Sequence, residues 1–518
     1  MKRKFYLIVL FSILALVLLV KVIIVVVAEP CIKDQIVKNI NKGNKYEIEI
    51  NKVQISIVRS ELVLDGIKII SVKKQEDKSL ITGNIERINI TGIRIFKLLF
   101  KKDISVRNII ISNSRFNGRI PFPKGENQVR FSPSNIQIEQ LFLDNSEISI
   151  GDINSRQTYS VKKGVLKFYD LKVEKQDTLS TAIISKFDFE SEEITSVSSD
   201  SMYTFKILGL NYQASSQFLS LDSIFIQPNY SDYDFLSRYK YQTDRIEGWL
   251  KDVSFQDFSA SDYIHNRDFK SSYIEAGEVK MRIFRDLRKE FRHVNKTAFQ
   301  DIIYNYPGKL DIDTLKFKNG NVTYSEHEED SNEAGFIRFN ELKANIYKIT
   351  NDSVYKKEEA YFEFMGEALL MGKGEISMLL KARLFDSQNT FTLTGKLGGM
   401  DVNELNPFLE KNEFIHISSG RIEEMNFSFT ADNTKATGEM LLLYQDLKLR
   451  FITKETKKTT AIKDRFMSFI INIKVKSSNP LPGKEVRTGI IDYERDPERF
   501  LLNYSFKSML TGIKSTLL

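Results

Sequence analysis

Residues 46–57 read YEIEINKVQISI, and the alternation in this stretch decides the fold. Apolar side chains alternate with Glu, Gln and Ser, so one face of an extended chain would be apolar and the other solvated. The aliphatic positions are Ile48, Ile50, Val53, Ile55 and Ile57. A pattern of this kind is typical of antiparallel strands that pack on one side only.

The same alternation returns towards the C-terminus, in residues 376–384 and again in residues 467–475. The alternate positions are mostly Ser, Asn, Lys and Arg. The apolar positions of interest are Ile376, Met378, Leu380, Met467, Phe469, Ile471 and Ile473. Strands at both ends of the chain therefore predict a mostly β protein.

Composition excludes several classes of protein. The chain has 518 residues, of which 42% are hydrophobic, with 10 Pro and 25 Gly, so collagen-like and wholly disordered chains are excluded. The net charge is +7, but four cations precede Glu29, the first acidic residue, which leaves +3 beyond residue 28. This near-neutral remainder argues against a nucleic-acid partner.

The sequence carries no recognisable catalytic or metal-binding motif. There is one cysteine, Cys31, and the four histidines are widely separated, so common zinc spacings are absent. The densest ligand-like cluster is EHEED at 326–330, which we interpret as a solvated acidic loop. We therefore predict that the protein is not an enzyme and that it has no catalytic residues, no metal and no cofactor.

The first 28 residues predict a membrane segment. Residues 5–28 form a 24-residue apolar run interrupted only by Lys21, which is long enough to cross a bilayer as a helix. The cations of the MKRK start favour a cytoplasmic N-terminus and export of the rest. A cleaved signal peptide is the alternative, but the run exceeds an ordinary signal-peptide core, so we favour an uncleaved signal anchor.

Two internal templates indicate a repeated β unit. The segments IIISNSRF (109–116), LFLDNSEI (141–148) and LKFKNGNV (315–322) share alternating apolar residues followed by Asn. Because Asn tolerates positive φ, Asn113, Asn145 and Asn319 are predicted to be hairpin turns. A second template follows twice, as GVLKFYDLKV (164–173) and GFIRFNELKA (335–344), and YQDLKL (444–449) repeats its second half.

The pattern divides the chain into four parts. We predict a signal anchor at 1–28, a β-rich region at 29–227, a partly helical middle segment at 228–307, and a second β-rich region at 308–518. The middle segment is predicted to be partly helical because Phe284, Leu287 and Phe291 have helical spacing.

The order of these features resembles the AsmA/TamB superfamily of Gram-negative bacteria, in its Bacteroidota form. The resemblance rests on NIERINITGIRIFKLLFKKDISVRNIIISNSRF (84–116), where the family has a strand, a short helix and a returning strand. Towards the C-terminus it rests on GKLGGMDVNELNPFLE (395–410), SGRIEEMNFSFTADNTKATGEMLLLYQDLKL (419–449) and NYSFKSMLTGIKSTL (503–517).

The resemblance implies one transmembrane helix followed by an elongated antiparallel β-groove, anchored in the inner membrane by residues 5–28 and lying in the periplasm. It implies phospholipid acyl chains as ligands, and a role in phospholipid transport between the two membranes and in outer-membrane biogenesis. The candidate groove residues are the twelve aliphatic, Met and Phe positions named above, from Ile48 to Ile473. The alternative is a non-enzymatic scaffold with a closed β core, which would bind outer-membrane or envelope assembly proteins.

Overall fold

A computed structural model describes residues 17–18, 20–41, 46–71, 80–94, 104–120, 136–176, 179–183, 186–356, 360–452 and 475–518. The chain divides into two compact units, Met1–Ser216 and Gln217–Leu518. Strands dominate both units and helices are few, so the predicted mostly β fold is confirmed.

The described residues of unit 1 form a helical N-terminal segment and nine strands. The helix passes through a π-helical turn, Ile24–Ala28, into α1, Glu29–Asn41. The strands are β1 Tyr46–Ser56, β2 Glu61–Ser71, β3 Leu80–Thr91, β4 Ile104–Ile120, β5 Ile136–Asp152, β6 Thr158–Gln176, β7 Leu179–Ile183, β8 Lys186–Val197 and β9 Tyr203–Gln213. Each strand pairs with the next in sequence, except that β7 and β8 both pair with β6.

Twelve strands and several short helices lie in the part of unit 2 that the structure describes. The strands are β10 Phe218–Pro228, β11 Asp244–Gln256, β12 Phe269–Asp286, β13 Leu310–His327, β14 Gly335–Thr350, β15 Tyr361–Leu370, β16 Gly374–Arg383, β17 Phe391–Leu397, β18 Met400–Asp401, β19 Ile415–Ala431, β20 Lys435–Phe451 and β21 Thr488–Glu494. The α-helices are α2 Asp232–Ser237, α3 Ala260–Asn266, α4 Phe299–Tyr304, α5 Asn406–Phe408 and α6 Leu501–Leu517, with 3-10 turns at Ser353–Lys356 and Val402–Leu405 and a π turn at Leu409–Glu413.

The prediction of an entirely antiparallel sheet is wrong at two places. Within unit 1, β4 and β5 run parallel, and within unit 2, β12 and β13 run parallel. A parallel neighbour requires a long crossover, and residues 287–309, which include α4, connect β12 to β13. The alternation of side chains is the same in both kinds of pairing, so it could not distinguish them.

The predicted hairpin turns at Asn113, Asn145 and Asn319 are also wrong. These residues lie inside the continuous strands β4, β5 and β13. Asn113 and Asn145 do have positive φ, 53° and 48°, but pairing continues on both sides of them, so the chain kinks without reversing. Near Asn319 the pairing of β13 with β14 is interrupted between Phe317 and Val322.

The second template marks kinks of the same kind. Asp170, Glu341 and Asp446 occupy its acidic position, and their φ angles are 53°, 51° and 53°. All three lie within long strands, β6, β14 and β20. Aspartate tolerates the left-handed region better than branched residues do, and Glu341 adopts the same conformation. The template therefore records a recurring backbone kink.

The C-terminal half of unit 2 has a closed core. Its strands β15 to β21 contribute Phe391, Phe429 and Met440, which are 4%, 2% and 1% exposed. Helix α6 packs on β20 and β21 and adds Tyr504, which is 3% exposed. This part is therefore a sheet covered by a helix.

The middle segment contains strands as well as helices. Phe284 lies in β12, not in a helix, and the next helix begins only at Phe299. Most of the predicted anchor, residues 5–28, lies outside the described residues. Among the residues that are described, no helix is both long and apolar enough to cross a membrane.

Candidate functional site

Two rows of apolar side chains cross the sheet of unit 1 from strand to strand. Each row follows the cross-strand pairing, so its members stand next to one another on one face. Row A consists of Val53, Leu64, Ile88, Ile111, Leu143, Leu166, Phe189 and Tyr212. Row B consists of Ile55, Leu62, Ile90, Ile109, Leu141, Phe168 and Phe187.

A third row lies on the same face, beyond the kinks. Row C consists of Ile48, Ile69, Gly83, Phe116, Ile148, Val161, Ile194 and Ile207. Members of all three rows share one hydrophobic cluster around Ile50, Ile67 and Ile85. We call the surface formed by rows A, B and C the apolar face.

Much of the apolar face is only partly buried. Val53 and Leu64 are 3% and 8% exposed, because Ile36 and Val37 of α1 pack on this end of the sheet. From β4 to β8, row members such as Ile111, Leu143 and Phe168 are partly exposed. In the described part of unit 1 the only α-helix packs against β1, so these strands have no second layer there.

The kinks explain how the apolar face continues across the sheet. Leu64 and Ile67 are both buried although they are three positions apart, and Gly66 between them has φ 64°. Regular alternation would place residues i and i+3 on opposite faces. A residue in the left-handed conformation resets the alternation, so apolar side chains occupy the same face on both sides of the kink.

Hydrogen bonds between polar side chains align the kinks of neighbouring strands. Asn145 Nδ2 donates to Asn113 Oδ1, and Asn113 Nδ2 donates to Glu86 Oε2, each at 2.6 Å. On the buried side, Ser114 Oγ donates to Ser146 Oγ at 2.7 Å. These bonds join β3, β4 and β5 at the kinks.

A cavity of about 520 Å³ lies at the kinks and is lined mainly by polar side chains. Its lining includes Glu49, Lys68, Asn84, Glu86, Asn113, Arg115, Asn145 and Glu147. Arg115 pairs with Glu147 at 2.7 Å, and both side chains are about half exposed. The lining therefore differs in chemistry from the apolar face.

Ion pairs mark the polar side of the sheet. Lys162 Nζ lies 2.8 Å from Glu193 Oε1. The hydrogen bond from Lys162 lowers the pKa of the Glu193 carboxyl below its usual value. Charged groups favour this solvated side, which leaves the apolar face as the surface suited to a hydrophobic ligand.

The structure separates the described residues of the predicted groove into three groups. Ile48, Ile50, Val53 and Ile55 lie together on the apolar face of unit 1, whereas Ile57 lies beyond β1 and is 59% exposed. Leu380 lies in the closed core of unit 2, with Ile376 and Met378 packed against it. Met467, Phe469, Ile471 and Ile473 lie outside the described residues.

Sequence reasoning missed the middle of each row. Ile111, Leu143 and Leu166 belong to segments that the templates identified, but the predicted hairpin turns at Asn113 and Asn145 divided the segments of Ile111 and Leu143 into shorter strands. The cross-strand contacts of Phe187 with Phe168 and Tyr212, at 6.1 and 5.4 Å between ring centroids, depend on pairing that the sequence alone does not reveal.

Helix side chains cap one edge of each sheet. The backbone N–H groups of Ile48 and Ile55 in β1 donate to Asn41 Oδ1 and Glu29 Oε1 of α1, at 2.9 and 3.0 Å. In unit 2, the N–H groups of Ile490 and Asp492 in β21 donate to Ser515 Oγ and Thr511 Oγ1 of α6, at 3.0 and 3.1 Å. Such contacts satisfy edge donors that would otherwise attract another strand.

The interpretation of residues 326–330 as a solvated loop is wrong for three of its members. Glu326 and His327 form the end of β13, and His327 and Glu328 are only 3% and 8% exposed. His327 Nδ1 lies 2.8 Å from the Tyr233 hydroxyl, and its Nε2 lies 3.0 Å from the Ser331 carbonyl oxygen. The acidic composition of the segment suggested a solvated loop, so the sequence did not reveal that His327 joins α2 to the sheet.

No set of three or more His, Cys, Asp or Glu side chains within the described ranges is arranged to hold a metal ion. Comparison with models of protein families gives no match to this chain, and neither does comparison with curated proteins.

Proposed function

We propose that this protein is a membrane-anchored, non-enzymatic carrier of phospholipid acyl chains in the periplasm, acting between the inner and outer membranes in outer-membrane biogenesis. The observation that carries the proposal is the apolar face of unit 1, where rows A, B and C cross the strands with partly exposed side chains. The rows run across the sheet, so an acyl chain lying along a row meets apolar groups from strand to strand.

Hydrophobic burial supplies the binding energy. Each methylene moved from water to an apolar surface gains about 0.8 kcal/mol, so a long acyl chain favours the rows strongly over water. Transfer from a bilayer to the rows is close to neutral because both surroundings are apolar. The direction of transport therefore comes from partners or gradients, and the rows supply a path of nearly constant free energy.

Two neighbouring aromatic residues provide the test. Phe168 of β6 lies in row B, whereas Phe142 of β5 lies on the opposite face, where Lys167 Nζ sits 5.4 Å from its ring centroid. Both side chains are partly buried. A photo-reactive benzoylphenylalanine at either position, in the full-length chain in native membranes, reports what lies on each face.

Mass spectrometry of the irradiated peptides distinguishes the outcomes. We expect phospholipid adducts at position 168 in at least tenfold excess over position 142. Equal adducts at both positions, or none at position 168 in a chain with native protease resistance, would overturn the proposal.

A second candidate is a scaffold for outer-membrane or envelope assembly proteins. The closed core of unit 2, where α6 covers β20 and β21, favours it, because apolar side chains of the described strands β15 to β21 pack there into one buried cluster. In the same experiment, protein adducts in place of lipid adducts at position 168 would support the scaffold.

A further inference from the structure

Helix α1 and strand β1 run antiparallel and are joined along their length. Three hydrogen bonds fix their alignment. Ile48 N donates to Asn41 Oδ1 at 2.9 Å, Lys33 Nζ donates to the backbone carbonyl oxygen of Asn51 at 3.2 Å, and Ile55 N donates to Glu29 Oε1 at 3.0 Å. The end of β1 therefore lies beside the beginning of α1.

The helix that precedes α1 presents aliphatic side chains to its surroundings. Val25, Val26 and Val27 are 50%, 66% and 60% exposed. The π-helical turn Ile24–Ala28 also contacts β1. A run of exposed aliphatic side chains on a helix requires an apolar environment, and the proposed bilayer anchor provides one.

The turn between β1 and β2 projects in the same direction. Ile57 and Val58 at its tip are 59% and 99% exposed, and the exposed Arg59 follows them. A strand rises about 3.3 Å per residue, so Val58 lies up to about 10 Å beyond Ile55. That distance corresponds to about seven helical residues before Glu29, close to Val22.

We propose that the β1–β2 turn inserts into the bilayer interface beside the anchor helix, with Ile57 and Val58 among the lipids and Arg59 at the headgroups. The bilayer is the occupant because the turn lies level with the aliphatic helix and joins two exposed aliphatic residues to a cation, a combination suited to the membrane interface. This inference rests on the membrane anchor of the proposed function.

Insertion of the β1–β2 turn places one end of the apolar face next to the bilayer. Row B begins at Ile55 and Leu62, which are paired across β1 and β2 next to this turn. Lipid entering at the turn therefore meets row B first and needs no passage through water.

A fluorescent probe at the tip tests the inference in the full chain. Cys31, the single cysteine, is replaced in C31S, and V58C is then labelled with nitrobenzoxadiazole and reconstituted in vesicles of phosphatidylcholine and phosphatidylglycerol. The control is S199C, on the exposed β8–β9 turn at the opposite ends of the strands. We expect doxyl-labelled lipids to quench the probe at position 58 at least threefold more than the probe at position 199.

The outcomes distinguish the insertion of the turn from the carrier function. Equal, weak quenching at both positions overturns the insertion, and so does a probe at position 58 that is shielded from water but not quenched by lipid, since a protein then covers the tip. If position 58 is in water while the adduct at position 168 persists, insertion fails and the carrier function stands. If position 58 is in lipid and the adduct is missing, insertion stands and the carrier function fails.

Discussion

Asn145 donates a 2.6 Å hydrogen bond from Nδ2 to Oδ1 of Asn113 across the parallel pair β4–β5. Both residues have positive φ, so the bond joins two backbone kinks at the same height of neighbouring strands. The kink at Asn113 places Ile111 and Phe116 on one face, because regular alternation would put residues i and i+5 on opposite faces. The continuity of the apolar face therefore depends on backbone conformation at these two asparagines.

Replacements of Asn113 should distinguish the contribution of the backbone kink to stability from that of the side-chain hydrogen bonds. N113V should lower the free energy of unfolding by about 1–2 kcal/mol more than N113G, because a β-branched residue is strained at positive φ whereas glycine is not. Urea unfolding of the full chain in detergent measures the difference. N117V, in the same strand without positive φ, is the matched control, and an equal cost for N113V and N113G would contradict the role of the kink.

The two units should respond differently to the same truncation. L380A removes a side chain that is 7% exposed in the closed core, so we expect it to cost about 2–5 kcal/mol. L166A acts in the partly exposed row A and should cost about 1 kcal/mol in delipidated protein. Hydrogen exchange of each unit during urea unfolding measures both, and equal costs would show that the rows are as well packed as the core.

Loss of the edge caps on β21 should promote self-association. T511V combined with S515A removes the acceptors of the Asp492 and Ile490 N–H groups and leaves two edge donors open to another strand. We expect a concentration-dependent shift from monomer to oligomer in sedimentation velocity at fixed detergent. N503A on the same helix serves as the control, and a double variant that remains monomeric at every concentration would show that the caps do not limit pairing.

The docking of α2 should weaken in acid. Asp232 accepts hydrogen bonds from both terminal nitrogens of Arg282, which lower the pKa of its carboxyl below the usual value of an aspartate. A carboxylate with a lowered pKa stabilises the fold above its unfolded pKa, and that contribution disappears as pH falls through the folded pKa. Exchange protection of α2, corrected for intrinsic rates, should therefore decline below about pH 4.

The variants D232N and D234N test the assignment. D232N should reduce the protection of α2 at neutral pH and remove most of its pH dependence. D234N alters a carboxylate that accepts from the exposed Ser231, and it should leave the Arg282 contact and its pH dependence in place. An unchanged acid profile in D232N would locate the titrating group elsewhere.

Local patterns in the sequence were enough to predict the strands and their apolar sides. The alternation at Ile48, Ile50, Val53 and Ile55 corresponds to one hydrophobic cluster. The asparagine and acidic positions of the templates correspond to positive φ at Asn113, Asn145 and Asp170. Both features follow from properties of single residues and their nearest neighbours.

Long-range features could not be predicted in the same way. An asparagine with positive φ occurs both in reversing turns and in kinked strands, and only the pairing on either side distinguishes them. Whether Leu380 lines an open groove or a closed core depends on α6, more than a hundred residues later in the chain. The alternation around Leu380 is the same in both cases.

The capped edge strands allow the number of strands in a unit to vary without affecting solubility. Two backbone N–H groups of β1 donate to α1, and two of β21 donate to α6. Strands can therefore be duplicated or lost within either unit without creating a new unpaired edge. The recurrence of a parallel pair followed by an antiparallel strand, in β4–β6 and again in β12–β14, is the record that such internal duplication would leave. Evolution can thus change the number of strands in either unit while the capped edge strand of that unit stays unchanged.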